Sequence, residues 1–203
     1  MKNENQENQQ QLYRCFSQVL DYPTSALVEQ TRQCIDLLKI EYPQLVDKMT
    51  HFLAFVENAA LGHLEEVYTG TFDINPACHI FAGHILFGES FKRGSFMAGL
   101  EEEYQKHSFD KGSELSDHIP VILRFLNQLE PHETIVADLL KDCLFPVMQK
   151  MNTNFADDSP NPYMPVLRSI LVVLERAVPL DDRAFEAPLE PSHAKKVIML
   201  EPV

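Results

Sequence analysis

The stretch Thr134-Ile135-Val136-Ala137-Asp138-Leu139-Leu140-Lys141-Asp142-Cys143-Leu144-Phe145-Pro146-Val147-Met148 decides the fold class. Its apolar residues come in pairs four positions apart: Ile135/Val136, Leu139/Leu140, Cys143/Leu144, Val147/Met148. On an α-helix that spacing makes one continuous apolar stripe, whereas a half-buried strand would alternate every second residue. The same period recurs in Val121, Ile122, Phe125, Leu126 and Leu129, and in Val166, Leu167, Ile170, Leu171 and Leu174. It appears again in Leu45, Val46, Met49, Phe52, Leu53 and Val56. Strand-like alternation is scarce, so the chain reads as all-α, a single-domain bundle of about eight or nine helices.

Prolines and caps set the expected boundaries. Pro23-Thr24-Ser25 divides a first helix (about 8–20) from a second (about 25–39), and Pro43 opens a third. Gly62 is expected to break the third helix from the segment carrying Tyr68. Asn75-Pro76 reads as an N-cap and first helical residue, starting a helix through Phe87. Gly88 and Ser90 stop that helix and start the next, which runs to about His107. Pro146 is expected to kink the long helix that contains it. Asp157–Pro162 is a polar loop, and from Pro179 the chain turns acidic and Pro-punctuated, with one apolar patch at Val197–Leu200. Residues 1–203 form one domain in this reading, with 1–8 and 180–203 as flexible or extended tails.

Composition bounds the function. The chain has 203 residues, enough for one core without covalent staples, and 45% of them are hydrophobic. A formal charge of -13 argues against a nucleic-acid partner and favours basic ones. Cys15, Cys34, Cys78 and Cys143 are widely spaced with no C-x-x-C pair, which fits buried thiols in a reducing, cytoplasmic setting. No apolar run reaches the roughly 18 residues that span a bilayer, so direct membrane insertion is not expected.

The densest group of ionisable residues is Glu114-Leu115-Ser116-Asp117-His118-Ile119-Pro120. A carboxylate beside an imidazole can tune proton transfer, but no Ser or Cys nucleophile or second carboxylate motif completes a catalytic set. A local alternative is a helix start with Asp117 as N-cap, His118 and Pro120 in the first turn, and Glu114 near the positive helix end. A partner-binding role is the third reading. Cys78, His79 and His84 match no compact zinc spacing. Glu89 and Arg93 stand at i, i+4 as a helix pair, and Gly94 and Gly99 would let helices approach closely. Glu101, Glu102 and Glu103 form a solvated acidic face, or rim a groove over Phe96, Leu100 and Tyr104.

Together these motifs resemble a known family. Tyr68-Thr69-Gly70-Thr71-Phe72-Asp73 with Pro76, then His84, Phe87-Gly88-Glu89-Ser90, Arg93-Gly94 and the Glu114–Pro120 block follow the order seen in NarJ-type assembly chaperones of respiratory nitrate reductase. These belong to the wider TorD/DmsD-like redox-enzyme maturation proteins. The likeness is dense from about Glu66 to Leu129. It departs at Ser116, where the family usually has proline, and at Phe91, often a basic position.

The resemblance implies an all-helical cytoplasmic chaperone that is not an enzyme. Such a protein binds the N-terminal peptide of an apo molybdoenzyme catalytic subunit, with the cofactor-insertion machinery as a further partner. It holds no permanent cofactor; the client carries the molybdenum cofactor. The positions that match are Tyr68, Phe72, Asp73, His84, Glu89, Arg93, Glu114, Asp117, His118 and Pro120. Apolar residues such as Phe87, Phe91 and Leu123 are expected to receive the client's anchors. A generic helical adaptor and a metal or cofactor carrier are the competing classes.

Overall fold

The computed structural model describes residues 4–74, 78–156 and 159–178, except for the side chains of Glu4 and Asn5. Its first three helices are α1 (Glu4–Val19), α2 (Leu27–Glu41) and α3 (Val46–Asn58), the last led by a 3-10 turn at Pro43–Leu45. They are followed by α4 (Leu61–Phe72), α5 (Ala82–Phe87), α6 (Phe91–Lys106) and α7 (Ile119–Gln128). Then α8 (Thr134–Asp138), a π-helical stretch (Leu139–Leu144) and α9 (Phe145–Thr153) run on without a break, and α10 (Met164–Ala177) closes the described chain. Taking that unbroken run as one rod, the described residues form nine rods and no strand, as the all-α reading expects.

Helix α1 lies at the centre of the packing, against α2 on one side and α7 on the other, while α10 rests on α3 and α9. The quoted stripe is buried as its period requires: Ile135, Leu139, Leu140, Cys143, Leu144, Val147 and Met148 all face the core. Tyr163, at the start of α10, collects the aromatic rings of Phe52, Tyr68 and Phe72 at centroid distances of 5.1, 5.9 and 5.0 Å. Edge-on aromatic packing of this kind adds to simple burial. The four cysteines are free and buried. Burial pushes the thiols of Cys15, Cys34 and Cys143 up, and that of Cys78 up to about 12.

Several expected boundaries move. Residues 4–8 are the first turns of α1 rather than a tail, and Asn8 donates a hydrogen bond to Glu41 (2.9 Å), tying that end to α2. The break between α3 and α4 falls at Ala59-Ala60, both extended, and Gly62 sits inside the first turn of α4. Asn75 and Pro76 lie outside the described residues, and the helix expected from them begins only at Ala82. Gly88 does stop α5, at φ +61°, a conformation that favours glycine. The expected bend at Pro146 is taken up just upstream. Phe145 N–H bonds to Leu140 O, five residues back, so the ladder widens before the residue that has no N–H. The 180–203 tail and its Val197–Leu200 patch lie outside the described residues.

The α6 C-terminus is clipped to the turn before α8. His107 Nδ1 lies 2.8 Å from Glu103 O, and its Nε2 lies 2.8 Å from Glu133 Oε2. The Glu103 carbonyl contact, then the Glu133 carboxylate, raise His107 above its ordinary 6.5. The Glu130 N–H, then His107, lower Glu133 below its ordinary 4.5. A raised histidine stabilises the fold fully below 6.5 and loses that contribution as pH rises through its folded value. A lowered carboxylate contributes fully above 4.5 and loses it as pH falls through its folded value. The clip is therefore strongest between about pH 4.5 and 6.5. In urea titrations, His107→Gln is expected to cost most stability in that window and progressively less as pH rises through the folded value of His107; a pH-independent cost would contradict the assignment.

Candidate functional site

The Glu114–Pro120 block is not a helix cap. The residue before α7 is His118, and Pro120 is the second helical residue. Asp117 instead turns inward and is wholly buried. Its carboxylate accepts hydrogen bonds from Arg93 Nε at 2.8 Å and Arg93 Nη2 at 3.4 Å. The backbone on both sides is pinned to the lead-in of α5: Ala82 N–H donates to Asp117 O (2.8 Å), and Ile119 N–H to Ile80 O (2.9 Å). Phe81 and His118 thus make an isolated antiparallel bridge.

The pairing explains neighbouring choices in the sequence. A Cβ on Gly83 would lie 2.7 Å from Asp117 Oδ2 and 3.0 Å from Arg93 Cγ, so only glycine lets α5 pass this close. Arg93 also sits over the Phe81 ring at 5.6 Å, and Phe81 stacks on His118 at 5.4 Å. Ser116 is buried, donates through Oγ to Met97 O (3.0 Å), and accepts the Tyr104 hydroxyl at its carbonyl (2.8 Å). Burial lowers the pKa of His118, opposed by the carboxylates of Asp21, Glu114 and Asp117, and its Nδ1 has no partner among the described residues.

The remaining candidates divide by exposure. Tyr68, Phe72, Pro120 and Leu123 are buried and belong to the core, so they cannot receive a partner's side chains directly. Phe96, Leu100 and Tyr104 are also interior, which removes the groove expected beside Glu101–Glu103. Arg93 bonds Asp117 rather than Glu89, which stands exposed outside the helix. Gly94 meets nothing within 4 Å; the close approach is at Gly83. His84 and Phe87 are half-buried, with His84 4.1 Å from the His79 ring and its pKa lowered first by burial. Phe91 is fully exposed at the α5–α6 corner. Asp73 and Glu114 are exposed.

Those last two belong to a surface group whose other members were not picked out from the sequence. Tyr68, although buried, donates its hydroxyl to Leu20 O (3.2 Å) and meets the Tyr22 ring edge-on at 5.4 Å. Burial raises its pKa, and the carboxylates of Asp21, Asp73 and Glu114 all raise it further. Three distant parts of the chain thus act electrostatically on this one hydroxyl. Each carboxylate is followed by an exposed apolar residue: Asp21-Tyr22, Asp73-Ile74, Glu114-Leu115. None of the three carboxylates forms an ion pair among the described residues. The acid-then-apolar dipeptide does not single them out in the sequence, since it recurs at Asp36-Leu37, Glu41-Tyr42, Glu66-Val67, Glu103-Tyr104 and Asp138-Leu139. No group of three or more His, Cys, Asp or Glu side chains among the described residues is arranged to hold a metal ion.

Removing one member of a buried pair leaves the other charge uncompensated. Asp117→Ala is expected to cost about 3 kcal/mol of stability, with Gly83→Ala also destabilising because Asp117 and Arg93 must shift. In a double-mutant cycle, Arg93→Met should cost less in the Asp117→Ala background than alone. Additive effects, read by denaturant unfolding, would show that the pair does not hold this corner.

Comparison with known proteins agrees with this architecture. The family model described as "Nitrate reductase delta subunit" matches residues 36–167. The nitrate reductase molybdenum cofactor assembly chaperone NarJ of Escherichia coli K12 is 28% identical over 131 residues, covering 62% of this chain and 54% of that protein. Its counterpart from E. coli O157:H7 matches equally. The chain thus spans about half the length of the curated relatives it matches. A crystal structure described as a redox enzyme maturation protein from Archaeoglobus fulgidus superposes with a TM-score of 0.56 at 18% identity, over 86% of this chain and 96% of that one, and so shares the fold. With its family model covering most of the chain, including the Arg93–Asp117 corner, this protein belongs to the nitrate reductase delta subunit family.

Proposed function

We propose that the chain is a dedicated assembly chaperone. It binds the basic N-terminal segment of an apo molybdoenzyme catalytic subunit, that of respiratory nitrate reductase, and keeps it open for cofactor insertion before docking or export. The observation that carries this reading is the set of exposed dipeptides Asp21-Tyr22, Asp73-Ile74 and Glu114-Leu115, with Tyr22 edge-on to the buried Tyr68 ring at 5.4 Å and Asp73-Ile74 directly following the helix that carries Tyr68. Exposed apolar side chains alternating with carboxylates complement an amphipathic basic peptide: the apolar contacts hold it, and the charges speed and select its arrival. The names of the E. coli relatives supply the client class.

In this reading the work is cytoplasmic and non-catalytic, and the molybdenum cofactor belongs to the client. Its insertion machinery is a further partner that meets the complex. No described helix is long and apolar enough to cross a membrane. Asp117, His118 and Arg93 do not touch the peptide; they fix the Glu114-Leu115 arm against α5. Phe91, fully exposed at the α5–α6 corner, extends the grip if the client runs that far.

Calorimetric titration with a synthetic peptide of the nitrate reductase catalytic subunit N-terminus tests the assignment. Binding should weaken severalfold between about 50 and about 200 mM salt, as a charge-guided contact does. Leu115→Asp should weaken it by about tenfold or more, the loss expected of a buried apolar anchor, with helicity unchanged. Glu114→Gln should mainly slow association. Phe91→Ser with full affinity would take that corner out of the binding face, and no binding by the unsubstituted protein would overturn the reading.

A further inference from the structure

We infer that the segment Pro179-Leu180-Asp181-Asp182-Arg183-Ala184-Phe185 of this same chain, which lies outside the described residues, closes the groove between α1, α7, α8 and α10. The groove holds about 310 Å³. Leu126 and Leu129 near the end of α7, Val136 and Leu140 on the α8–α9 rod, and Tyr13 on α1 give it an apolar lining. Arg176 and Ala177, the last two residues of α10, form another wall. The inference stands apart from the client-binding face, with which the groove shares no residue.

The course of the chain selects this groove. Helix α10 ends at Ala177 in the groove wall, and Val178 is already extended, at φ -90° and ψ 128°, with its side chain buried. Pro179 comes next; it cannot continue the helix, and it holds the backbone near that extended course. Alternate side chains of an extended chain face the same way, so Leu180 turns inward with Val178. Leu180 is two residues past Val178, about 7 Å at full extension, and Phe185 is seven past it, about 23 Å. Two larger grooves, of about 510 and 620 Å³, have no such supply. The first meets only the start of α10, at Met164 and Pro165, and the second meets none of it.

The segment also has the chemistry the groove takes. Leu180 and Phe185 supply apolar side chains for the aliphatic lining, and Asp181-Asp182 come past Arg176. That guanidinium is exposed and meets the Glu41 carboxylate and carbonyl only at 3.4 Å each, so it has room for a nearer carboxylate. The α1–α10 seam is set without the segment: the Gln9 amide donates to the Tyr13 hydroxyl at 3.0 Å and to Val173 O at 3.5 Å. Covalent attachment makes the capture intramolecular, at effective concentrations in the millimolar range for a short connection. Two apolar anchors of modest affinity are then enough to keep the groove closed.

The test compares the full chain with a full-length variant carrying Leu180→Asp and Phe185→Asp, neither of which alters a described contact. In the unsubstituted chain, nuclear Overhauser contacts are expected from the Leu180 methyls and the Phe185 ring to the methyls of Leu129, Val136 and Leu140. In the variant those contacts should be lost and the same groove methyls should shift, with helicity by circular dichroism unchanged. A second full-length variant, carrying Val197→Asp and Ile198→Asp, should leave the groove signals as they were. Absence of the contacts in the unsubstituted chain, or groove methyls that do not move in the first variant, would overturn the inference. So would groove signals that answer to the second variant instead, since the later apolar patch would then be the occupant. Contacts that fade on dilution would overturn it as well, because they would join two copies.

Discussion

The Asp117 carboxylate depends wholly on Arg93. An unpaired buried charge is among the costliest things a fold can contain, so one guanidinium fixes where the whole 114–120 segment can lie. With that position set, the backbone of Asp117 and Ile119 meets the lead-in of α5, Gly83 must remain without a side chain, and Phe81 fills the space between Arg93 and His118. The start of α7 inherits its direction from this corner. Through Glu114-Leu115 the same corner presents an acid and an apolar side chain to solvent. Structure and proposed recognition are thus separated by three residues: Asp117 is wholly interior and Glu114 outside.

Regular features were readable from the sequence because they follow from local periodicity. The paired apolar residues from Ile135 to Met148, the stop at Gly88 and the burial of the cysteines all require only the spacing of nearby residues. The errors have a common cause. Asp117 has every local property of a cap, yet its partner lies 24 positions away, beyond the view of any capping rule. Glu89 sits at helical spacing from Arg93, but the helix starts two residues later and the arginine is already engaged. Tyr68, Phe72 and Leu123 carry the motif or the apolar stripe and serve the interior. The exposed partners Tyr22, Ile74 and Leu115 attract no notice in a sequence because isolated surface apolar residues are ordinary.

Net charge gains a location in the folded molecule. Much of the acidity is answered nearby: Glu103 meets Lys106 and His107, Glu101 meets Lys111, and Glu57 meets Arg32. Asp21, Asp73 and Glu114 are among the acids without an ion partner in the described residues, and they come from the α1–α2 turn, the end of α4 and the approach to α7. A partner that needs all three together will recognise only the assembled bundle. Misfolded or partly folded copies would present the dipeptides singly and compete poorly.

The four buried thiols have a bearing on how the molecule lives with oxidants. A thiol reacts as its thiolate, and burial that holds Cys78 up to about 12 leaves almost none at neutral pH. Cys15 and Cys34 belong to the packed pair α1 and α2, and Cys143 lies in the π-helical stretch of the α8–α9 rod. Cys34, Cys78 and Cys143 are closed off from solvent, whereas Cys15 borders a surface groove between α1 and α2. Those three act as passive recorders of local opening: each marks how often its own seam parts, while Cys15 can meet small reagents without any such opening.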